Sequence, residues 1–193
     1  MIHNQASRLA TGLINKRIID ENTHEVYTYG IELIISAFIN ILLMVIISTI
    51  FQQYYDWLLF LAAFIPIRSI AGGYHAGSHL NCIVVGTICF TILLLVCRLK
   101  INWEIVILTI AILSFSLILS FSPVEAHNKK LKEEQRKKNR KISICIGFAN
   151  LIIAAAAYLF QGFSGILNIY FAGVFAASFS MLVVKMQIFK GRW

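Results

Sequence analysis

The stretch IELIISAFINILLMVIISTIF, residues 31–51, decides the fold. About 20 mostly apolar residues suffice to carry a helix across the hydrocarbon layer of a bilayer. Similar stretches recur on its C-terminal side. A polar turn occupies residues 52–56, and a second candidate span begins at Trp57, interrupted by Pro66, Arg68 and the pair Gly72-Gly73. A third runs over residues 82–97, a fourth over 104–121 until Pro123 stops it, a fifth over 142–160, and a sixth over 166–184, ending at Lys185. The pattern predicts an all-α, polytopic membrane helix bundle of about six transmembrane helices. The second is expected to be broken between Pro66 and Gly73, since proline removes a backbone donor and clashes with the preceding turn.

Composition agrees. The chain has 193 residues, of which 59% are hydrophobic and only 13% charged. A soluble domain is about one quarter charged, and so short a water-soluble fold cannot hide this much apolar surface. The length suits a single transmembrane domain, residues 30–193, preceded by an N-terminal segment, residues 1–29. That segment places Leu9, Leu13 and Ile14 at helical spacing beside Arg8, Lys16 and Arg17, a pattern for an amphipathic helix lying in the interface. An ordinary solvated helix fits it equally well. It shows no short apolar run before a cleavage site, so no signal peptide is expected.

The net charge of +8 would suggest nucleic-acid binding in a soluble protein. Here most of the excess lies in one loop between apolar stretches, so no nucleic acid is expected. Lys and Arg mark cytoplasmic loops. With both termini in the cytoplasm, the opposite side holds only Arg98 and Lys100, while the basic cytoplasmic loop, residues 123–141, carries eight Lys and Arg. That loop would also attract anionic membrane lipids or an acidic peptide tail. The orientation places residues 68–82 on the cytoplasmic side, where thiols stay reduced.

Residues 68–82 read RSIAGGYHAGSHLNC. An ionisable side chain at membrane depth is costly and commonly functional. A glycine-broken helix is tolerated there only inside protein or beside a wet cavity. His75 and Cys82 are the natural base and nucleophile, since cysteine reacts as the thiolate, which an imidazole or a helix N-terminus stabilises. Ser78 and Asn81 are good N-cap residues for the span that Cys82 opens. Seven residues separate His75 from Cys82, or about 10.5 Å along a straight helix, too far for a hydrogen bond. A bend at Gly72, Gly73 and Gly77 is therefore expected. Spacing alone favours a structural interfacial histidine and a buried cysteine; the location, the broken helix and nearby Arg68 bring the catalytic reading level with it.

The pattern Arg68…Gly72-Gly73-Tyr74-His75-Ala76…Cys82, in a chain of about six spans and this length, resembles the accessory gene regulator B (AgrB) family of quorum-sensing peptidases. The basic loop opening Ser122-Pro123-Val124-Glu125 resembles the family as well. The resemblance implies a cysteine endopeptidase of the bacterial plasma membrane acting on a small precursor peptide, AgrD. The family's histidine falls on His75 and its cysteine on Cys82, and Arg68 and Gly73 match further positions. His79 departs from the small hydroxyl residue expected there.

On this resemblance, Cys82 attacks a carbonyl near the C-terminal end of the precursor, and His75 takes the thiol proton. An internal thiol or hydroxyl of the peptide then closes a thiolactone or lactone. Glu125 is a candidate to orient His75, although a local loop ion pair fits it as well. Arg68 is a candidate to hold the acidic tail, or else it snorkels to the interface. Asn81 and backbone N–H groups beside it are candidates to stabilise an oxyanion. No metal or cofactor is expected: no CxxC pair occurs, and His3, His24 and His127 lack ligand spacing. Asn40 and Asn150, inside spans, read as interhelical hydrogen-bonding groups. The Ala- and Gly-rich segments 154–157 and 172–177 suit a homodimer. The competing function is a small peptide transporter or export protein without covalent chemistry, since broken helices mark transporters as well. A non-catalytic membrane subunit is a third.

Overall fold

The computed structural model describes residues 2–72, 79–124, 132–160 and 164–189. Among them are seven α-helices: α1 (Ile2–Asn15), α2 (His24–Ile50), α3 (Asp56–Ala71), α4 (His79–Val96), α5 (Trp103–Phe121), α6 (Glu133–Phe160) and α7 (Ser164–Phe189). A single 3-10 turn, Glu21–Thr23, precedes α2, and no strand occurs among the described residues. The protein is all-α, as the hydropathy pattern requires.

Helix ends differ from the hydropathy boundaries where polar residues favour helix. Residues 24–29, expected in the N-terminal segment, form the first turns of α2, with Glu25 complementing the positive end of the helix. Residues 133–141, expected in the basic loop, belong to α6. Glu133 and Glu134 stand in its first turn, and the Lys and Arg that follow are good helix formers. Hydropathy marks where a helix enters hydrocarbon, not where it begins.

Four of these segments are long and apolar enough to cross a membrane: Glu21–Ile50, Trp103–Phe121, Glu133–Phe160 and Gly165–Met186. The helices on either side of residues 73–78 are shorter. α3 has 16 residues, about 24 Å against a hydrocarbon layer of about 30 Å, and Leu80–Val96 is an apolar helix below the same length. α3 continues through Pro66. Its end comes at Gly72, so the break expected between Pro66 and Gly73 falls at the glycine and not at the proline. Bilayer helices tolerate proline because neighbouring groups can satisfy the freed backbone.

The described helices gather into two units. The first comprises residues 1–52 and 76–91. In it α1 packs on α2 and buries Ala6 and Ala10 completely, small residues one turn apart that permit close approach. His3 Nδ1 lies 2.5 Å from Glu32 Oε1, and Thr11 Oγ1 lies 3.3 Å from His24 Nε2. Leu9 is 55% exposed, whereas Leu13 and Ile14 are half-buried.

The second unit comprises residues 53–75 and 92–193. Its core joins Ala63, Ile67 and Ala71 of α3, Ile107, Ala111 and Ile118 of α5, Ala154 of α6, and Phe171, Val174, Ala177 and Met181 of α7. Glycines let the backbones meet. A β-carbon on Gly173 of α7 would lie 2.6 Å from the Phe60 carbonyl oxygen of α3, and one on Gly147 of α6 would lie 2.9 Å from the Phe115 ring of α5. Asn150 supplies the polar fastening: its amide donates to the Ile146 carbonyl, and its oxygen accepts from the Tyr170 hydroxyl at 2.9 Å. Large side chains such as Ile92, Leu113, Phe148, Ile152 and Leu159 stay exposed. A soluble monomer rarely shows so much apolar surface; on these helices it is what lipid covers.

Gly173→Ala is expected to cost about 1–3 kcal/mol by overpacking against a backbone oxygen that cannot give way. A thermal-unfolding series in detergent checks this, with the exposed Gly165→Ala, whose new methyl meets nothing within 4 Å, expected to be neutral.

Candidate active site

Four of the sequence-predicted site residues are described: Arg68, Gly72, Asn81 and Cys82. His75, Gly73, Ser78 and Glu125 lie outside the described residues. Arg68 and Gly72 belong to the second unit, Asn81 and Cys82 to the first.

Arg68 stands in the last turn of α3 and is half-buried. Its guanidinium carbon lies 5.5 Å from the centroid of the Phe64 ring, one turn back on the same helix face. Its Nη1 lies 3.5 Å from Ser180 Oγ of α7. Lying over an aromatic face while hydrogen-bonding through its edge suits guanidinium and not ammonium. The packing keeps a permanent cation at the C-terminal end of α3, where the helix dipole favours positive charge.

Gly72 closes α3. Its N–H donates to the Arg68 carbonyl at 3.2 Å, and its φ of +82° lies in the region that side chains disfavour. The chain after α5 docks on this cap. The Val124 N–H donates to the Ala71 carbonyl at 2.8 Å, and a β-carbon on Gly72 would run into the Val124 carbonyl oxygen. Two backbone constraints therefore meet on one residue, and each demands glycine. Val124 immediately precedes Glu125, so the docking anchors the start of the basic segment to the end of α3.

Cys82 is the fourth residue of α4 and half-buried. It sits in the first turn, the region over which the helix dipole acts. Asn81 is the third residue of the same helix and exposed. It is therefore not the N-cap, because α4 begins two residues earlier, at His79. Cys89, Cys97 and Cys145 are also free thiols, on or just after helices. Among the described residues, no three His, Cys, Asp or Glu are grouped to hold a metal ion.

The hydropathy pattern missed a polar seam on α2. Thr28, Glu32, Ser36 and Ser48 are buried there, and Asn40 stands on the same four-residue register. Polar residues four apart share one helix face, and in a bilayer such a face turns inward. That periodicity is the signal by which they could have been found. At one end of the seam α1 and α2 form an open groove lined by His3, Ser7, His24, Glu25, Thr28, Tyr29 and Glu32. Further along, Asn40 Oδ1 accepts from the Thr87 hydroxyl of α4 at 3.2 Å.

Fold and site together define a polytopic membrane protein with a cysteine at the head of a short apolar helix that follows, in sequence, a glycine-terminated one. The sequence profile described as AgrB: Accessory gene regulator B matches residues 6–187, and the chain belongs to that family. It is 28% identical over 148 residues to AgrB-like protein 2 of Clostridium perfringens strain 13, covering 73% of this chain and 69% of that protein. It is equally similar, over the same shares, to an AgrB-like protein of Clostridium perfringens strain SM101. Both names state likeness to AgrB and no more. No solved structure matches.

Gly72→Ala is expected to destabilise by about 1–3 kcal/mol from backbone strain alone, and by more because Val124 must move. The measurement is yield of monodisperse protein after membrane extraction, against Gly30→Ala, where an added methyl meets nothing within 4 Å.

Proposed function

We propose that this chain is a membrane-embedded cysteine endopeptidase that removes the C-terminal tail of a small AgrD-like autoinducer precursor and promotes its cyclisation for quorum sensing. The observation that carries the proposal is the position of Cys82: a half-buried thiol in the first turn of α4, in a chain whose AgrB-family match spans residues 6–187. The site is taken to face the cytoplasm of a bacterial plasma membrane, with both termini on that side, because Lys and Arg concentrate there.

His75 accepts the Cys82 thiol proton, and the sulfur attacks the carbonyl carbon before the tail. The amide C–N bond breaks, the leaving amine takes the proton from His75, and a thioester joins the precursor to Cys82. An internal thiol or hydroxyl of the bound peptide then attacks the thioester carbonyl. The ring closes, and Cys82 leaves as thiolate and recovers a proton. No water is consumed in the second step, so exclusion of water favours the ring over the linear acid.

Around this centre, Arg68 is assigned to the acidic tail, since a fixed guanidinium can bind carboxylate bidentately. Ser78, Asn81 and backbone N–H groups at the head of α4 are assigned to the oxyanion, and Glu125 to orienting His75. Gly72, whose left-handed φ turns the chain at the end of α3, and Gly73 are assigned to the bend that brings His75 to Cys82.

Co-expression with a tagged precursor tests the scheme. Cys82→Ala and His75→Ala are each expected to abolish cleavage. His75→Ala is also expected to abolish the acyl-enzyme that mass spectrometry detects on Cys82 in the parent protein. Cleavage that persists in Cys82→Ala membranes defeats the proposal. Peptide flux without cleavage, surviving Cys82→Ser, would point to the transporter instead.

A further inference from the structure

Asn40 lies in the middle of α2, with no charged residue in its own span near it in sequence. Within the first unit its amide meets α4 at two adjoining residues. Its oxygen accepts from Thr87 Oγ1 at 3.2 Å. Its nitrogen faces Gly86, where an added β-carbon would stand 3.0 Å away. Any larger residue at 86 would press on the amide, and loss of the Thr87 hydroxyl would leave the amide oxygen without this donor. Polar side chains between membrane helices are held by each other, because hydrocarbon offers no partner.

Gly86 is four residues after Cys82. In a helix, residues four apart lie on one face, about 6 Å along the axis. The face of α4 that meets Asn40 is therefore the face that carries Cys82 one turn earlier. No glycine or proline stands between the two positions to absorb a displacement. A shift of α4 at Gly86 and Thr87 is transmitted to the sulfur.

We infer that Asn40 is a positioning residue for Cys82: through Thr87 and Gly86 it sets the distance and rotation of α4 against α2, and so the place of the nucleophile. Its role rests on Cys82 being the nucleophile of the proposed peptidase. A nucleophile displaced by about 1 Å can lose about 100-fold in rate, so the effect falls on the chemical step and not on precursor binding.

The test compares Asn40→Ala, Thr87→Val, the double variant and Thr87→Ser, each purified and normalised to folded protein, with the tagged precursor as substrate. Asn40→Ala and Thr87→Val are each expected to lower kcat by about 10- to 100-fold with KM unchanged, the pattern of an interaction lost in the transition state. The double variant should be no slower than the worse single one, and Thr87→Ser, which keeps the hydroxyl, should stay near the parent rate. If Asn40→Ala fails to fold, the Thr87→Val and Thr87→Ser pair decides alone. Parent-like kcat per folded molecule in Thr87→Val overturns the inference, as does a loss that appears only in yield or KM. Should Cys82→Ala itself retain cleavage, the proposed function falls instead.

Discussion

Hydrocarbon offers a polar side chain no hydrogen bond, so each one inside a membrane helix must be met by protein or cost several kcal/mol. The longer polar side chains of this chain follow that constraint, while the buried hydroxyls of Thr28, Ser36, Ser48, Ser114 and Ser122 have no hydrogen-bond partner among the described residues. Asn150 is met by Tyr170 and a carbonyl of its own helix, Asn40 by Thr87, Glu32 by His3. Arg68 rests on Phe64 near Ser180. Between these fastenings, association depends on close approach, and small residues supply it at Gly173, Gly147, Ala6 and Ala10.

The segment with the most chemistry stands between the two short helices. α3 closes at Gly72 and α4 begins at His79. Gly72 cannot be replaced without strain, because a left-handed φ and the Val124 carbonyl converge on it. The same docking ties Val124, at the start of the basic segment, to the end of α3.

Much of this was legible in the residue order. Apolar runs located α5 to within a residue and the start of α7 to within two, though α7 continues five residues past the expected end, because a bilayer demands the same side-chain chemistry whatever the neighbours are. They misplaced the starts of α2 and α6, where helix continues into polar sequence under its own capping charges and propensity. Pro66 looked like a break and is not one, since packing around a membrane helix can absorb a missing donor. Asn81 looked like an N-cap and is instead the third residue of its helix. The seam on α2 was present as a four-residue period, masked by the high apolarity around it.

By itself, then, the sequence determined that the chain is a membrane protein of apolar helices, that its polar chemistry concentrates in residues 68–82, and that it resembles the AgrB family to which the profile match assigns it. These depend on composition and local order, which solvent reads residue by residue. Only the tertiary structure decided which glycine ends α3, what clamps it, and which amide on α2 holds the helix that carries Cys82. Those are contacts between residues far apart in the chain, as Gly72 is from Val124 and Asn40 from Thr87, and no local pattern records which partner a buried polar group or a missing side chain will meet.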